Sequence, residues 1–143
     1  HVPYCRQICH YCGCHTKLVR RDEVITGYRE ALEEEIALVA RHLPGRLRVA
    51  RIAWGGGTPS ILGGEGLGSV LACLHRHFDP LPEMEHAIEL DPRHVDADLA
   101  AQLAALGVNR VSLGVQDLDP DVQRAVNRLQ TLEQTRAIVE AGV

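Results

Sequence analysis

Cys5, Cys9 and Cys12 stand at C-x3-C-x2-C spacing, and Cys14 follows two residues later. Thiolates are good ligands for iron and zinc. Three of them at this spacing could hold three corners of a 4Fe–4S cube and leave the fourth iron open. A cube with four protein thiolates typically shuttles electrons. One with an open iron can bind a substrate and act on it. The alternative is a zinc site built from the four cysteines, or from three of them with His10 or His15. Zinc modules prefer paired C-x2-4-C units with a second pair further along. The sequence has no second pair.

Other residues could complete such a site. Gly55-Gly56-Gly57-Thr58-Pro59 follows the strand pattern Leu47–Trp54. Glycine lets a backbone approach a ligand closely, although a plain tight turn would use it too. In parallel α/β folds the C-terminal end of a strand is the active face. Glu89 and Asp91 end the next strand, and Gln116 the one after. Asp91-Pro92 reads mainly as a turn. Glu89 lies within the apolar strand Ala87–Leu90, where burying an unpaired carboxylate would be costly. A ligand cation or amino group is therefore expected beside it. The Gln116 amide can both donate and accept hydrogen bonds. Arg124 and Arg128 lie four apart and would share a face if one helix carried both. Either could meet solvent or grip a carboxylate.

The elements that must position these residues alternate. Val2–Tyr4 reads as the exit of a strand. Tyr28, Leu32, Ile36 and Val39 recur at helical spacing, with Asp22 as a candidate N-cap and Pro44-Gly45 as the stop. Leu67, Val70, Leu71, Leu74 and Phe78 form a second helical stripe. Cys73, between Leu71 and Leu74, reads as a small buried apolar residue. Leu99, Leu103 and Leu106 mark a third helix closed by Gly107. Arg110–Val115 reads as a strand with Val111, Leu113 and Val115 on one face. A short helix is expected around Val122–Val126. A capping box at Thr131–Gln134 opens a last helix that Gly142 ends, and Val143 would open a further strand. Four β-α repeats argue for a parallel sheet with right-handed crossovers. Such a sheet would leave an edge uncovered, so a fragment of a longer protein is expected.

The 143 residues suit one ordinary domain. Hydrophobic residues make up 45% and charged residues 24%, a globular balance. The net charge of −4 gives no bulk electrostatic case for nucleic acid. No apolar run could span a membrane, and residue 1 onward does not read as a signal peptide. Five cysteines, an odd number with four bunched within ten residues, fit a reducing interior better than a disulfide framework.

Taken together, His1-Val2-Pro3-Tyr4-Cys5, Cys12-Gly13-Cys14, Trp54-Gly55-Gly56-Gly57-Thr58-Pro59, Glu89-Leu90-Asp91-Pro92-Arg93, Gly114-Val115-Gln116-Asp117 and Val122–Arg128 fall in one order. In that order the whole chain resembles the oxygen-independent coproporphyrinogen III oxidases of the radical S-adenosylmethionine superfamily. The resemblance implies an α/β fold, the first part of a partial TIM-type barrel. Residues 1–143 would be the N-terminal part of the radical SAM catalytic domain, without the later strands and the C-terminal domain. It implies that Cys5, Cys9 and Cys12 ligate a 4Fe–4S cluster whose open iron chelates S-adenosylmethionine. Gly56 and Glu89 are similar to contacts of that molecule. Tyr11, Gly57, Thr58, Gln116 and Arg128 are similar to contacts of a second S-adenosylmethionine, and Gly13 falls with the cofactor-binding positions. Cys14 matches a fourth cysteine that is not a cluster ligand. It groups with Glu89 among catalytic positions, although its role does not follow from the residues.

The implied reaction turns coproporphyrinogen III into protoporphyrinogen IX in haem synthesis. A 5′-deoxyadenosyl radical takes a hydrogen atom from a propionate β-carbon; loss of CO2 and an electron leaves a vinyl group. A flavodoxin or ferredoxin is the expected electron donor, and the protein is expected to be a cytoplasmic monomer. A tyrosine expected just before residue 1 is absent, and residues 1–143 alone are expected not to turn over. Two alternatives remain: a haem chaperone of the same superfamily, disfavoured by Cys14, Gln116-Asp117 and Val126-Asn127-Arg128, and a zinc-stabilised binding module.

Overall fold

The computed structural model describes residues 1–140. β1 (Tyr4–Cys5) and β2 (Lys17–Leu18) flank the cysteine loop and pair parallel. Then come α1 (Asp22–Arg41), β3 (Arg48–Trp54), α2 (Gly63–His77), β4 (Asp79–Leu90), α3 (Ala97–Ala105), β5 (Arg110–Leu113), α4 (Pro120–Ala125) and α5 (Leu132–Glu140). Among the described residues β3, β4 and β5 form one parallel sheet in that order. Val2 extends it by a parallel bridge to Gly56. The order and direction are those of the opening repeats of a TIM-type barrel.

Period-two alternation decides which residues meet the helices. In β4, His86, Ile88 and Leu90 are buried while Glu85, Ala87 and Glu89 take the other face. Ile88 and Leu90 pack with Leu67 and Val70 of α2 and Leu103 of α3. Leu67 and Leu103 are each 1% exposed. Burial of side chains this size stabilises by about 1.5–3 kcal/mol apiece. Cys73 is buried in α2 with its thiol 3.6 Å from the Glu33 carbonyl, as a small core residue. None of the described helices is long and apolar enough to cross a membrane.

Several expectations change. β4 begins at Asp79, well before Ala87. Pro80 and Pro82 argue against a strand, but β5 pairs only from Ala87 onward, so the first half of β4 is an edge where proline is tolerated. Asp22 is the first residue inside α1; Arg21 holds the N-cap position without a side-chain cap. The Asp22 carboxylate instead pairs with Arg6 and suits the positive end of the helix. Val39 is exposed, unlike Tyr28, Leu32 and Ile36, which pack on the core. Phe78 is the extended C-cap of α2. The capping box holds: Gln134 N donates to Thr131 Oγ1 at 3.1 Å, and Thr131 N to Gln134 Oε1 at 2.9 Å. Gly107, just past α3, has φ +78°, a conformation glycine takes at no steric cost. The Gly142 stop and the Val143 strand lie outside the described residues.

Candidate active site

Five stretches of chain, from the cysteine loop, the ends of β3, β4 and β5, and Arg128, line a cavity of about 310 Å³. The thiols of Cys5, Cys9, Cys12 and Cys14 all line it. So do Tyr11, Gly56, Gly57 and Thr58. Glu89, Gln116 and Arg128 complete the expected set. Gly13 is the exception: it is exposed and does not line the cavity.

The cysteine loop has little secondary structure of its own, so it is pinned from outside. His10 N donates to the Val126 carbonyl at 2.9 Å. Asn127 Nδ2 donates to the Ile8 carbonyl at 2.8 Å, and Gln7 Nε2 to Asn127 Oδ1 at 3.1 Å. Asn127 has φ +55°, a left-handed conformation that asparagine tolerates better than most residues. His10 Nδ1 lies 3.1 Å from the Ala125 carbonyl. His1 Nε2 lies 3.0 Å from the His15 carbonyl.

The glycine turn packs tightly under this loop. Gly56 has φ +117°, and its flanks bond Val2: Val2 N to Gly55 O at 2.8 Å, Gly57 N to Val2 O at 2.7 Å. A Cβ on Gly57 would lie 2.5 Å from Thr16 Oγ1, 2.7 Å from Tyr4 O and 2.9 Å from Cys5 Sγ. Only glycine lets this turn come so near a thiol. Cys5 Sγ lies 3.4 Å from Thr16 Oγ1 and accepts from Thr58 Oγ1 at 3.3 Å.

Glu89 overturns the burial argument made for it. It is exposed, on the open face of β4. The alternation that buries Ile88 and Leu90 aims it into the cavity, so no desolvation cost demands a partner. Its carboxylate lies 3.3 Å from the position a Cβ on Gly55 would take, so glycine there gives it room. Gln116 lies in the loop past β5 with φ +52°, an uncommon conformation for glutamine.

Arg124 and Arg128 do not share a helix face. α4 ends at Ala125. Arg124 stays outside and pairs with Asp121. The chain then reverses through Asn127 and turns Arg128 inward. Arg128 Nη1 lies 3.4 Å from Cys9 Sγ and 3.1 Å from Asp91 Oδ2, and Nη2 donates to Gly114 O at 2.6 Å. Its buried Nε has no hydrogen-bond partner.

Asp91 does more than turn the chain. Its Oδ1 accepts from Arg93 N at 3.1 Å, and Oδ2 from Arg93 Nη2 at 2.6 Å. Burial works to raise the Asp91 carboxyl. The Arg93 hydrogen bonds and the Arg128 charge outweigh it and hold the pKa below the usual carboxylate range. The Asp91–Arg93 ion pair and the hydroxyl of Thr16 were not identified as site features from sequence. Arg93 stood in a quoted motif without a role; nothing in the spacing marks Thr16. Beside them, partial burial pushes the Tyr11 hydroxyl upward, against the Arg128 charge. The neighbouring Cys12 sulfur pushes the Cys14 thiol up.

The donor set fits an iron–sulfur cluster: Cys5, Cys9, Cys12 and Cys14 all line one cavity, and thiolates are the ligands such clusters take.

Comparison with known proteins agrees with this geometry. Residues 1–142 match the family model described as the radical SAM superfamily. The chain is 50% identical over 140 residues to the oxygen-independent coproporphyrinogen III oxidase of Bradyrhizobium diazoefficiens, covering 98% of this chain and 31% of that protein. It is 43% identical over 144 residues to the Pseudomonas aeruginosa protein of the same name, covering 99% and 31%. Coproporphyrinogen III oxidase from Escherichia coli, described as a radical SAM enzyme, superposes with a TM-score of 0.93 at 38% identity, over 99% of this chain and 32% of that one. The chain thus spans about a third of the length of these relatives. With a family model matched from its first residue to its 142nd, the chain belongs to the radical SAM superfamily.

Proposed function

We propose that this chain is the cluster-holding and S-adenosylmethionine-binding part of an oxygen-independent coproporphyrinogen III oxidase. The reaction is oxidative decarboxylation of two propionates of coproporphyrinogen III, a step of haem synthesis. One observation carries the reading: three thiols at C-x3-C-x2-C spacing line one cavity with a glycine turn and an exposed carboxylate, Glu89. The chain-long likeness to oxidases of that name supports it.

Cys5, Cys9 and Cys12 would hold a 4Fe–4S cluster. When bound, the cluster supplies the electron that cleaves the carbon–sulfur bond of S-adenosylmethionine. The chain's own residues bind and orient. Thr16 and Thr58 fix the Cys5 sulfur, and Arg93 and Arg128 fix that of Cys9. Gly56 and Gly57 keep the turn close beneath. Glu89 offers an acceptor to an amino group or a ribose hydroxyl. Tyr11, Gly57, Thr58, Gln116 and Arg128 would face a second S-adenosylmethionine; Arg128 Nε, buried and unpaired, is a donor available to a carboxylate. Cys14 stands at the cavity rim as a catalytic candidate. A flavodoxin or ferredoxin would supply electrons to a cytoplasmic, monomeric protein.

Anaerobic reconstitution tests the reading. Iron and sulfide near four each per chain, with an electron paramagnetic resonance signal that S-adenosylmethionine alters, are expected. In the intact protein, CO2 release from coproporphyrinogen III should accompany that signal. Zinc as the native metal, or a cube indifferent to S-adenosylmethionine, would overturn it. Tight stoichiometric haem binding without decarboxylation would reassign the protein as a haem chaperone.

A further inference from the structure

Two of the three proposed ligand sulfurs meet opposite kinds of neighbour. Cys5 Sγ has hydroxyls, Thr16 and Thr58. Cys9 Sγ has guanidinium groups, Arg128 Nη1 at 3.4 Å and Arg93 Nη2 at 3.6 Å. Both guanidiniums share Asp91, whose Oδ2 lies 2.6 Å from Arg93 Nη2 and 3.1 Å from Arg128 Nη1. The Asp91 and Arg93 side chains are each 8% exposed and that of Arg128 10%. Two cations and one carboxylate leave one surplus positive charge against a single sulfur. So close and so sheltered from water, that charge is weakly screened.

We propose that Arg93 is a positioning residue which, opposed by Asp91, sets the reduction potential of the iron–sulfur cluster through the sulfur of Cys9. This rests on the cluster reading and deepens it. Cluster potentials follow net charge and hydrogen bonds to the sulfurs. A cation at Cys9 favours the cube after it has gained an electron. A carboxylate beside that cation moderates the gain. The equilibrium is uptake of one electron from a one-electron reductant, with no bond made or broken. Arg93 is held for the task on three sides. Its Nη1 donates to Gln7 Oε1 at 2.8 Å, its Nε to Asp91 Oδ1 at 3.0 Å, and its Nη2 reaches both Asp91 and Cys9. A side chain tethered to the cysteine loop and to the end of β4 cannot swing away as the sulfur gains charge.

The test is a redox titration with dithionite, followed by electron paramagnetic resonance, of the anaerobically reconstituted intact protein and three variants. Iron per chain is measured alongside. Arg93→Gln is expected to hold the cube and lower its midpoint. The reduced form should weaken about tenfold, which is about 59 mV for one electron. Asp91→Asn is expected to raise the midpoint, because it leaves two cations uncompensated. Arg93→Lys keeps the charge without the fork and should fall between wild type and Arg93→Gln. A purely structural role would move the midpoints together or leave them alone; either result overturns the proposal. Should Arg93→Gln assemble no cube, the opposite shifts of Arg93→Lys and Asp91→Asn decide in the same way. A wild-type protein that assembles no cube overturns the cluster reading and this inference with it. A wild-type cube with unmoved variants overturns this inference alone.

Discussion

The indole Nε1–H of Trp54 donates to Nε2 of His86 across 2.7 Å, tying the end of β3 to β4 just behind the glycine turn. Both residues are buried. The bond needs a neutral imidazole with its proton on Nδ1. Burial pushes the His86 pKa down and His75 adds to the effect, against the Gly107 and Leu106 carbonyls.

Stability should therefore depend on pH through His86. Its folded pKa is depressed, so the unfolded chain takes up the proton first. The contribution is complete above the unfolded value of about 6.5 and is lost as pH falls through the folded one. Thermal unfolding should show a midpoint that drops on acidification below about pH 6.5. His86→Phe should flatten that drop. At neutral pH the same change strands a buried indole N–H and should cost about 1–3 kcal/mol by urea titration.

Gly57→Ala is expected to act on the cysteines without touching one. The added methyl would lie 2.9 Å from Cys5 Sγ and 2.5 Å from Thr16 Oγ1. Overpacking of this kind costs about 1–3 kcal/mol. Iron retained after reconstitution should fall with the unfolding midpoint. Gly13→Ala, whose Cβ meets nothing within 4 Å, should change neither.

The cysteines should divide into classes when iron is counted after reconstitution. Cys5→Ala, Cys9→Ala and Cys12→Ala should each abolish the cube. Cys14→Ser should retain it, because Cys14 is the exposed thiol of the set. Cys73→Ala removes a buried side chain far from the loop in sequence. It should lower stability and leave iron content intact.

Glu89→Gln separates binding from folding. Glu89 is exposed, so urea unfolding should shift by no more than about 0.5 kcal/mol. The change that S-adenosylmethionine makes to the cluster's spectrum should need at least about tenfold more ligand, a loss near 1.4 kcal/mol.

Leu103→Ala should report on the α3 contact with the sheet. Leu103 is 1% exposed within the main core cluster. Equilibrium urea unfolding should show a loss of about 2–5 kcal/mol.

Much of this was written locally in the chain. The α2 stripe Leu67-Val70-Leu71, the Gly107 stop and the Thr131–Gln134 capping box each depend on neighbours three or four residues away, and each stands where the spacing set it. What periodicity misjudged depends on distant partners. The start of β4 contains two prolines and becomes a strand only because β3 lies alongside. Asp22 reads as a cap until Arg6 is seen beside it. Glu89 looked buried because its neighbours are apolar, yet a strand alternates, and that alternation aims the carboxylate into the cavity. Arg128 looked like the next turn of a helix, but the reversal at Asn127 turns it toward Cys9. No residue count between Cys9 and Arg93 marks their contact; it exists only once β4 and the loop have been brought together.

The loop carrying the thiols is moored by Val126 and Asn127, more than a hundred positions further along the chain. Contacts of such separation are slow to form and carry the largest loop-closure cost. During synthesis the sulfurs leave the ribosome among the earliest residues of this segment, while their moorings are translated near its end. For that interval the middle of the loop lacks these two moorings, and only its ends are held, by the pairing of β1 with β2. A finished cradle for iron and sulfide therefore exists only once translation has passed Asn127.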